Sequence, residues 1–392
     1  MKHTIIRLIA LVLAALLCLG LAACGGNGGE NSDPAPKKTT TTTAAEGEDA
    51  QDTTSTTAEA EDTTTAAPDK TEGSKATTTS RTKNVQGGIT YTTSTAAPTT
   101  SAPKNPIRIL AIGHSFAVDA LRAHMWNLLE NQGYDYIVVA YLFTPSCSLN
   151  EQWDRMQGKA DHEQYCKTDG YTGAWSQQSP PSDSPYNKVQ YAIRDEKWDI
   201  ITLQPDPDYG GGPEIWPSVT NDYANLGNIV KWINDNKTNK NAKLYYHMTW
   251  AFAEDCKLWC FDERSPYKGD QLKHYRSFVD ATMKYVLDPY GNKFAGIIPA
   301  GTAVQNARTS KLGDTFNMPG GWVIENKQER DGYHLNDKGD YLAALTWFAV
   351  ITGKSAKTAT YKGGFDAEFE ILAESVDNAI KTWDDVTQSK FK

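Results

Sequence analysis

Between Gly25 and Pro106 the chain has no Leu, Phe, Trp or Met, and its sizeable apolar residues there are only Val85, Ile89 and Tyr91. A stretch so poor in apolar side chains cannot bury enough surface to offset chain entropy, so it is expected to be disordered. Clusters of Lys and Arg are also missing, and the formal net charge is -9. That balance argues against binding a phosphate backbone and excludes nucleic acid as a partner. No apolar run reaches the roughly 20 residues of a membrane-spanning helix. No internal repeat is visible. All eleven Trp lie beyond Pro106, so a single domain carries the core of this 392-residue chain. The usual ~100–200 residues per domain would have suggested two or three.

What is present begins with an address. Lys2, His3 and Arg7 precede the apolar run from Leu8 to Leu21, a charged start followed by a signal-type core. The run ends in Leu21-Ala22-Ala23-Cys24, which resembles the bacterial lipoprotein signal. The resemblance implies cleavage before Cys24 and lipidation of that residue. The expected organisation is a signal peptide over 1–23, a lipid-anchored Thr/Ala/Pro-rich linker over 24–105 and a folded domain over 106–392. The expected location is the outer face of the cytoplasmic membrane or the cell surface, with the membrane as a partner through the anchor.

Cysteine is scarce. Setting aside Cys18 and Cys24 leaves Cys147, Cys166, Cys256 and Cys260. Four cysteines outside the cytosol allow three disulfide connectivities, and Cys256 with Cys260 could close a short loop. Zinc would want two close pairs, or close His partners, and Cys147 and Cys166 are too far apart to form one. No metal is expected.

From Ile107 the pattern changes. Short apolar runs at 107–112, 136–142, 198–203, 243–249 and 296–300 read as strands. Amphipathic stretches at 117–131, 221–234, 271–287, 337–351 and 366–383 read as helices. This alternation predicts an α/β fold, a parallel sheet covered by helices on both faces. Ligands of such sheets sit beyond the carboxyl ends of the strands, so chemistry is expected just after Ile112, Leu142, Leu203, Thr249 and Ala300.

Two places there carry reactive groups. Ser115, in Gly113-His114-Ser115-Phe116, falls where the first strand gives way to a helix. It can be a nucleophile whose own N–H helps hold an oxyanion, or simply the helix N-cap. His114 reads as a turn residue. Near the other end, Asp331 and His334 stand at Asp-x-x-His spacing, close enough for the carboxylate to accept from one imidazole nitrogen. The other nitrogen is then available to take a serine proton.

With these residues the sequence resembles the SGNH (GDSL-like) hydrolase superfamily, most closely an exported bacterial branch catalogued as a domain of unknown function. The matching stretches are Ile109 to Ala120, Ser148-Leu149, Trp198 to Gln204, Thr249 to Ala251, Ile298 to Gly301 and Asp331 to His334. The resemblance implies a three-layer α/β/α sandwich on a parallel five-stranded, flavodoxin-like sheet. It also implies a serine esterase in which Ser115 is nucleophile, His334 general base and acid, and Asp331 the group orienting His334. Two blocks depart from the family. Where the family offers an oxyanion-hole Gly, this chain reads Phe143 to Ser148, and Ser146 N–H is assigned in its place. Where it offers Gly-x-Asn-Asp, this chain reads Leu203-Gln204-Pro205, and the Gln204 amide is the donor expected beside Ser115 and Ser146.

Trp153, Trp175, Trp216, Trp250, Trp259 and Trp322 fall in or beside the loops at that face, and Trp153 and Trp250 are assigned to stacking a sugar. The sequence therefore predicts an exported serine hydrolase acting on an acylated carbohydrate or another ester, without metal or organic cofactor. The rival prediction is a weak or inactive carbohydrate-binding lipoprotein on the same scaffold.

Overall fold

The computed structural model describes residues 102–206, 211–212, 215, 222–318 and 331–392, with the backbone of strands at 82–86, 89–93, 322–324 and 327–329. The predicted signal peptide, Cys24 and most of the linker lie outside the described residues. Within the linker, Thr82–Gln86 and Ile89–Thr93 pair antiparallel, with Gln86 opposite Ile89. Val85, Ile89 and Tyr91 fall in these strands among β-branched Thr, residue types that favour extended pairing.

The main sheet is built from β1 (Pro106–Ile112), β2 (Tyr136–Phe143), β3 (Gln164–Thr168), β4 (Trp175–Gln178), β5 (Ile200–Leu203), β6 (Lys243–His247) and β7 (Gly296–Ile298). Their spatial order is β4-β3-β2-β1-β5-β6-β7. The five expected strands are parallel, and β3 and β4 add an antiparallel extension beyond β2. The sheet is thus seven-stranded rather than five-stranded.

Side chains alternate along β1. Ile107, Ile109 and Ala111 enter one core, while Leu110 and Ile112 enter the other. Period-two alternation of apolar residues on both faces is what buries a strand between two helical layers. The first core is covered by α1 (Ser115–Leu121), α2 (Met125–Glu130), α7 (Ala300–Arg308), α8 (Asp337–Thr352) and α9 (Phe369–Lys381). The second is covered by α3 (Leu149–Met156), α4 (Lys188–Asp195), α5 (Leu226–Asn236) and α6 (Gln271–Ala281). The helix expected over 117–131 is two helices, and the one over 271–287 changes to a π turn at Thr282–Leu287.

Taken alone, the parallel strands run in the order second, first, third, fourth, fifth, the flavodoxin-like winding. Its topological switch point falls between β1 and β5, the place where doubly wound sheets bind ligands. Ile112 faces Leu203 there, so the turns after both strands open on one crevice.

Candidate active site

The turn after β1 is held from β5. Gln204 Oε1 accepts the His114 backbone N–H at 3.2 Å, and a Cβ on Gly113 would come within 2.5 Å of that same oxygen. A side chain at 113 would have to displace the Gln204 amide from the His114 N–H. His114 Nδ1 accepts the Phe116 N–H at 3.3 Å, so the imidazole proton sits on Nε2 and is donated to the Pro205 carbonyl at 2.9 Å. Burial pushes the His114 imidazole down to about 3, so it stays neutral. The expected turn residue is therefore the helix cap and a strap between the two strand ends. Because His114 caps α1, the hydroxyl of Ser115, the first residue of the helix, is not spent on capping.

The second half is the loop at the start of α8. Asp331 Oδ2 accepts from His334 Nδ1 at 2.9 Å. Its Oδ1 accepts the backbone N–H groups of Tyr333, at 2.9 Å, and His334, at 3.1 Å. An ionised carboxylate only accepts, so Nδ1 carries the proton and Nε2 is left basic. The loop is clamped from below. Gly332 adopts φ +81°, and a Cβ there would strike Cys256 Cβ at 2.6 Å. The Tyr333 carbonyl accepts from Trp250 Nε1 at 2.9 Å, and the His334 carbonyl from Met318 N–H at 2.9 Å.

These halves meet across Phe116. Its ring stands edge-on to His334 at 5.8 Å and stacks on Trp250 at 4.3 Å. Asp331 and His334 are thus brought together, with His334 beside the helix that begins at Ser115. Among the described residues no hydrogen bond joins Ser115 to His334.

The other predicted residues are placed as follows. Gln204 is buried, and its amide N–H donates to His247 Nδ1 at 2.9 Å while its oxygen holds His114. Burial pushes His247 down to about 3, so it is a neutral acceptor. Ser146 is exposed in the turn after β2 with φ +43°, a conformation that favours glycine. Trp250 corrects an expectation: it is fully buried, with one face on Phe116 and its N–H bonded, and offers no ring to a sugar. Trp153 is half-buried and packs against the second core. Cys147, Cys166, Cys256 and Cys260 are buried and none is joined in a disulfide, so the Cys256–Cys260 bridge is not formed among the described residues.

Sequence reading missed Asp119 and Asp340. Asp119 Oδ2 accepts the Leu335 N–H at 3.1 Å, next to His334. The available signal was spacing: Asp119 lies four residues after Ser115, on the same face of α1.

Fold and site define a doubly wound α/β protein with a serine at its switch point and a carboxylate-oriented histidine opposite. The chain belongs to the family described as a domain of unknown function, DUF4886, whose model matches residues 108–368. A crystal structure of a DUF4886 family protein from Bacteroides uniformis is similar at 31% identity and a TM-score of 0.60, over 72% of this chain and 98% of that one. More distant likenesses include a Slackia heliotrinireducens protein provisionally assigned to the SGNH hydrolases, at 15% identity and a TM-score of 0.37, over 63% of this chain and 100% of that one. TesA is similar at 12% identity and a TM-score of 0.31, over 70% of this chain and 99% of that one. No curated protein matches the chain.

Proposed function

We propose that the protein is an exported, lipid-anchored serine hydrolase that cleaves O-acyl esters, with acylated carbohydrate as the substrate class. The observation that carries this reading is the Asp331–His334 bond at 2.9 Å, which leaves Nε2 basic beside a helix-start serine that the cap does not consume. In this mechanism Ser115 Oγ attacks the ester carbonyl as its proton passes to His334 Nε2. The imidazolium, held by Asp331, returns that proton to the leaving alcohol oxygen, and water then cleaves the acyl-enzyme by the same steps. A serine–histidine contact absent from the resting site can tighten when substrate binds. Backbone N–H groups of Ser115 and Ser146 are assigned to the oxyanion.

Carbohydrate is favoured by the predicted export and by Trp259, 45% exposed between β6 and α6. The test is covalent labelling by a serine-reactive phosphonate: one equivalent on the wild type and none on Ser115→Ala supports the hydrolase. An unlabelled wild type that still binds polysaccharide supports the binding-lipoprotein alternative, which the two altered oxyanion blocks favour.

Gln204 is assigned to holding the turn rather than to donating to the oxyanion, because its oxygen and an amide N–H are already engaged. Gln204→Ala leaves His114 N–H and His247 Nδ1 unpaired inside the protein, at about 1–3 kcal/mol for each buried group. The unfolding midpoint is expected to fall clearly while turnover per labelled active site changes little. A ~10²–10³-fold loss in kcat at unchanged KM would make it an oxyanion donor instead.

Anchoring has its own test. Cys24→Ala is expected to move the protein from the membrane fraction to the soluble one with hydrolysis intact. Equal retention of both forms removes the lipid anchor from the reading, because a stable hold on the bilayer needs more than one acyl chain.

A further inference from the structure

Two carboxyl groups, not one, stand beside His334. Besides Asp331 there is Asp119 on α1, half-buried, bonded through Oδ2 to the N–H of Leu335 at 3.1 Å. Behind it stands Asp340, on α8, whose Oδ1 is buried without a hydrogen bond among the described residues. Asp119 therefore ties the helix that starts with Ser115 to the loop that ends with His334. It does so across 216 residues of sequence.

The charges around this contact are mixed. Asp119 faces His334 and Asp331 from the loop and Asp340 from α8. Asp340 also faces Asp337 on its own helix, and Asp337 in turn pairs with His124 Nε2 at 2.9 Å, at the start of α2. Loss of hydration pushes the Asp119 carboxyl up to about 6, against the opposing pull of His334 and the Leu335 N–H. Burial, then the charges of Asp119 and Asp337, push Asp340 well above the usual carboxylate range. With its carboxyl at about 6, Asp119 is largely ionised at and above neutral pH, while Asp340 is the one pushed toward its protonated form.

We propose that Asp119 is a positioning residue for His334, its carboxylate fixing the histidine loop to the nucleophile helix and its negative charge supporting the imidazolium formed during proton transfer. The inference rests on the hydrolase reading for its catalytic consequence. In that step the proton moves from Ser115 Oγ to His334 Nε2 and on to the leaving oxygen, and Asp119 takes none of it. Asp331 sets the direction of the imidazole, and Asp119 sets the place and field of the loop.

Two substitutions separate place from field. Asp119→Asn keeps an oxygen for the Leu335 N–H but removes the charge; Asp119→Ala removes both. The primary readout is the His334 Cε1–H titration by NMR in the purified protein, which needs no turnover. In Asp119→Asn the titration is expected to move down by about one unit, as loss of a nearby opposite charge does. The acid limb of kcat/KM should follow it down, and kcat should fall about tenfold with KM little changed. Asp119→Ala should lose more kcat than the Asn variant, the difference measuring the anchor. An unmoved His334 titration in folded Asp119→Asn overturns the proposal, whatever the activity. If that variant does not fold, the wild type decides: a two-step His334 titration, one step from a carboxyl near 6, is expected, and a single step overturns it. A wild type that neither hydrolyses esters nor takes a phosphonate defeats the hydrolase reading, while the titration still decides the role of Asp119.

Discussion

Ser115→Ala is expected to abolish ester hydrolysis, by on the order of 10⁴-fold or more, without destabilising the protein. The second half of that expectation follows from the local structure. Had Ser115 been the N-cap, its loss would cost about 1 kcal/mol, but His114 Nδ1 accepts the Phe116 N–H instead. Ser115 is half-buried at the first position of α1, and alanine is the better helix former there. The unfolding midpoint should thus stay level or rise slightly. Hydrolysis of a p-nitrophenyl ester, phosphonate labelling by intact mass and thermal unfolding on the same preparation check it. Residual activity above a few per cent in the folded variant would remove Ser115 from the chemistry.

The alternation of Ile107, Ile109 and Ala111 against Leu110 and Ile112 made β1 legible, because each residue must satisfy one of two cores. The Asp331–His334 pair was legible because a carboxylate and an imidazole three residues apart can bond locally, and Ser115 was legible as the residue where a strand gives way to a helix. The strands β3 and β4 were not. Their sequences, Gln-Tyr-Cys-Lys-Thr and Trp-Ser-Gln-Gln, carry no clean apolar period and are strands through pairing with β2 and each other. The break between α1 and α2 was hidden for a similar reason. His124, at the break, is drawn to Tyr361 and Asp337, partners more than 200 residues away that no local window includes.

Gln204 and Trp250 show what spacing cannot supply. Both stand just after a strand at the carboxyl edge, where function was expected. Their position was read correctly, yet a loop residue there faces either outward to a ligand or inward to another loop. Gln204 turns inward because two buried groups, the His114 N–H and His247 Nδ1, would otherwise lack a partner. Trp250 turns inward because Phe116 supplies a flat apolar face and Tyr333 a carbonyl. Direction at a strand end is decided by such distant partners.

Asp331→Asn is expected to leave the fold nearly intact and lower kcat by about 10⁴-fold, a loss known for the equivalent change in a serine-protease triad. The geometry here dictates which way the asparagine must sit. Oδ1 of Asp331 receives two backbone N–H groups, from Tyr333 at 2.9 Å and His334 at 3.1 Å. An asparagine that turned its NH₂ toward them would oppose donor to donor twice, so its oxygen takes that place. The NH₂ then faces His334 Nδ1, where the carboxylate had accepted at 2.9 Å. A donor at that point obliges Nδ1 to accept, and the imidazole proton moves to Nε2. The nitrogen facing the serine is then already protonated and cannot act as its base. If Asp331 served only to shape the loop, asparagine would preserve both backbone bonds and turnover would hardly change. Asp331→Ala completes the comparison, since it loses the backbone bonds as well and should lower the unfolding midpoint below that of the asparagine variant. A folded Asp331→Asn enzyme with near wild-type kcat would show that His334 does not work through this carboxylate.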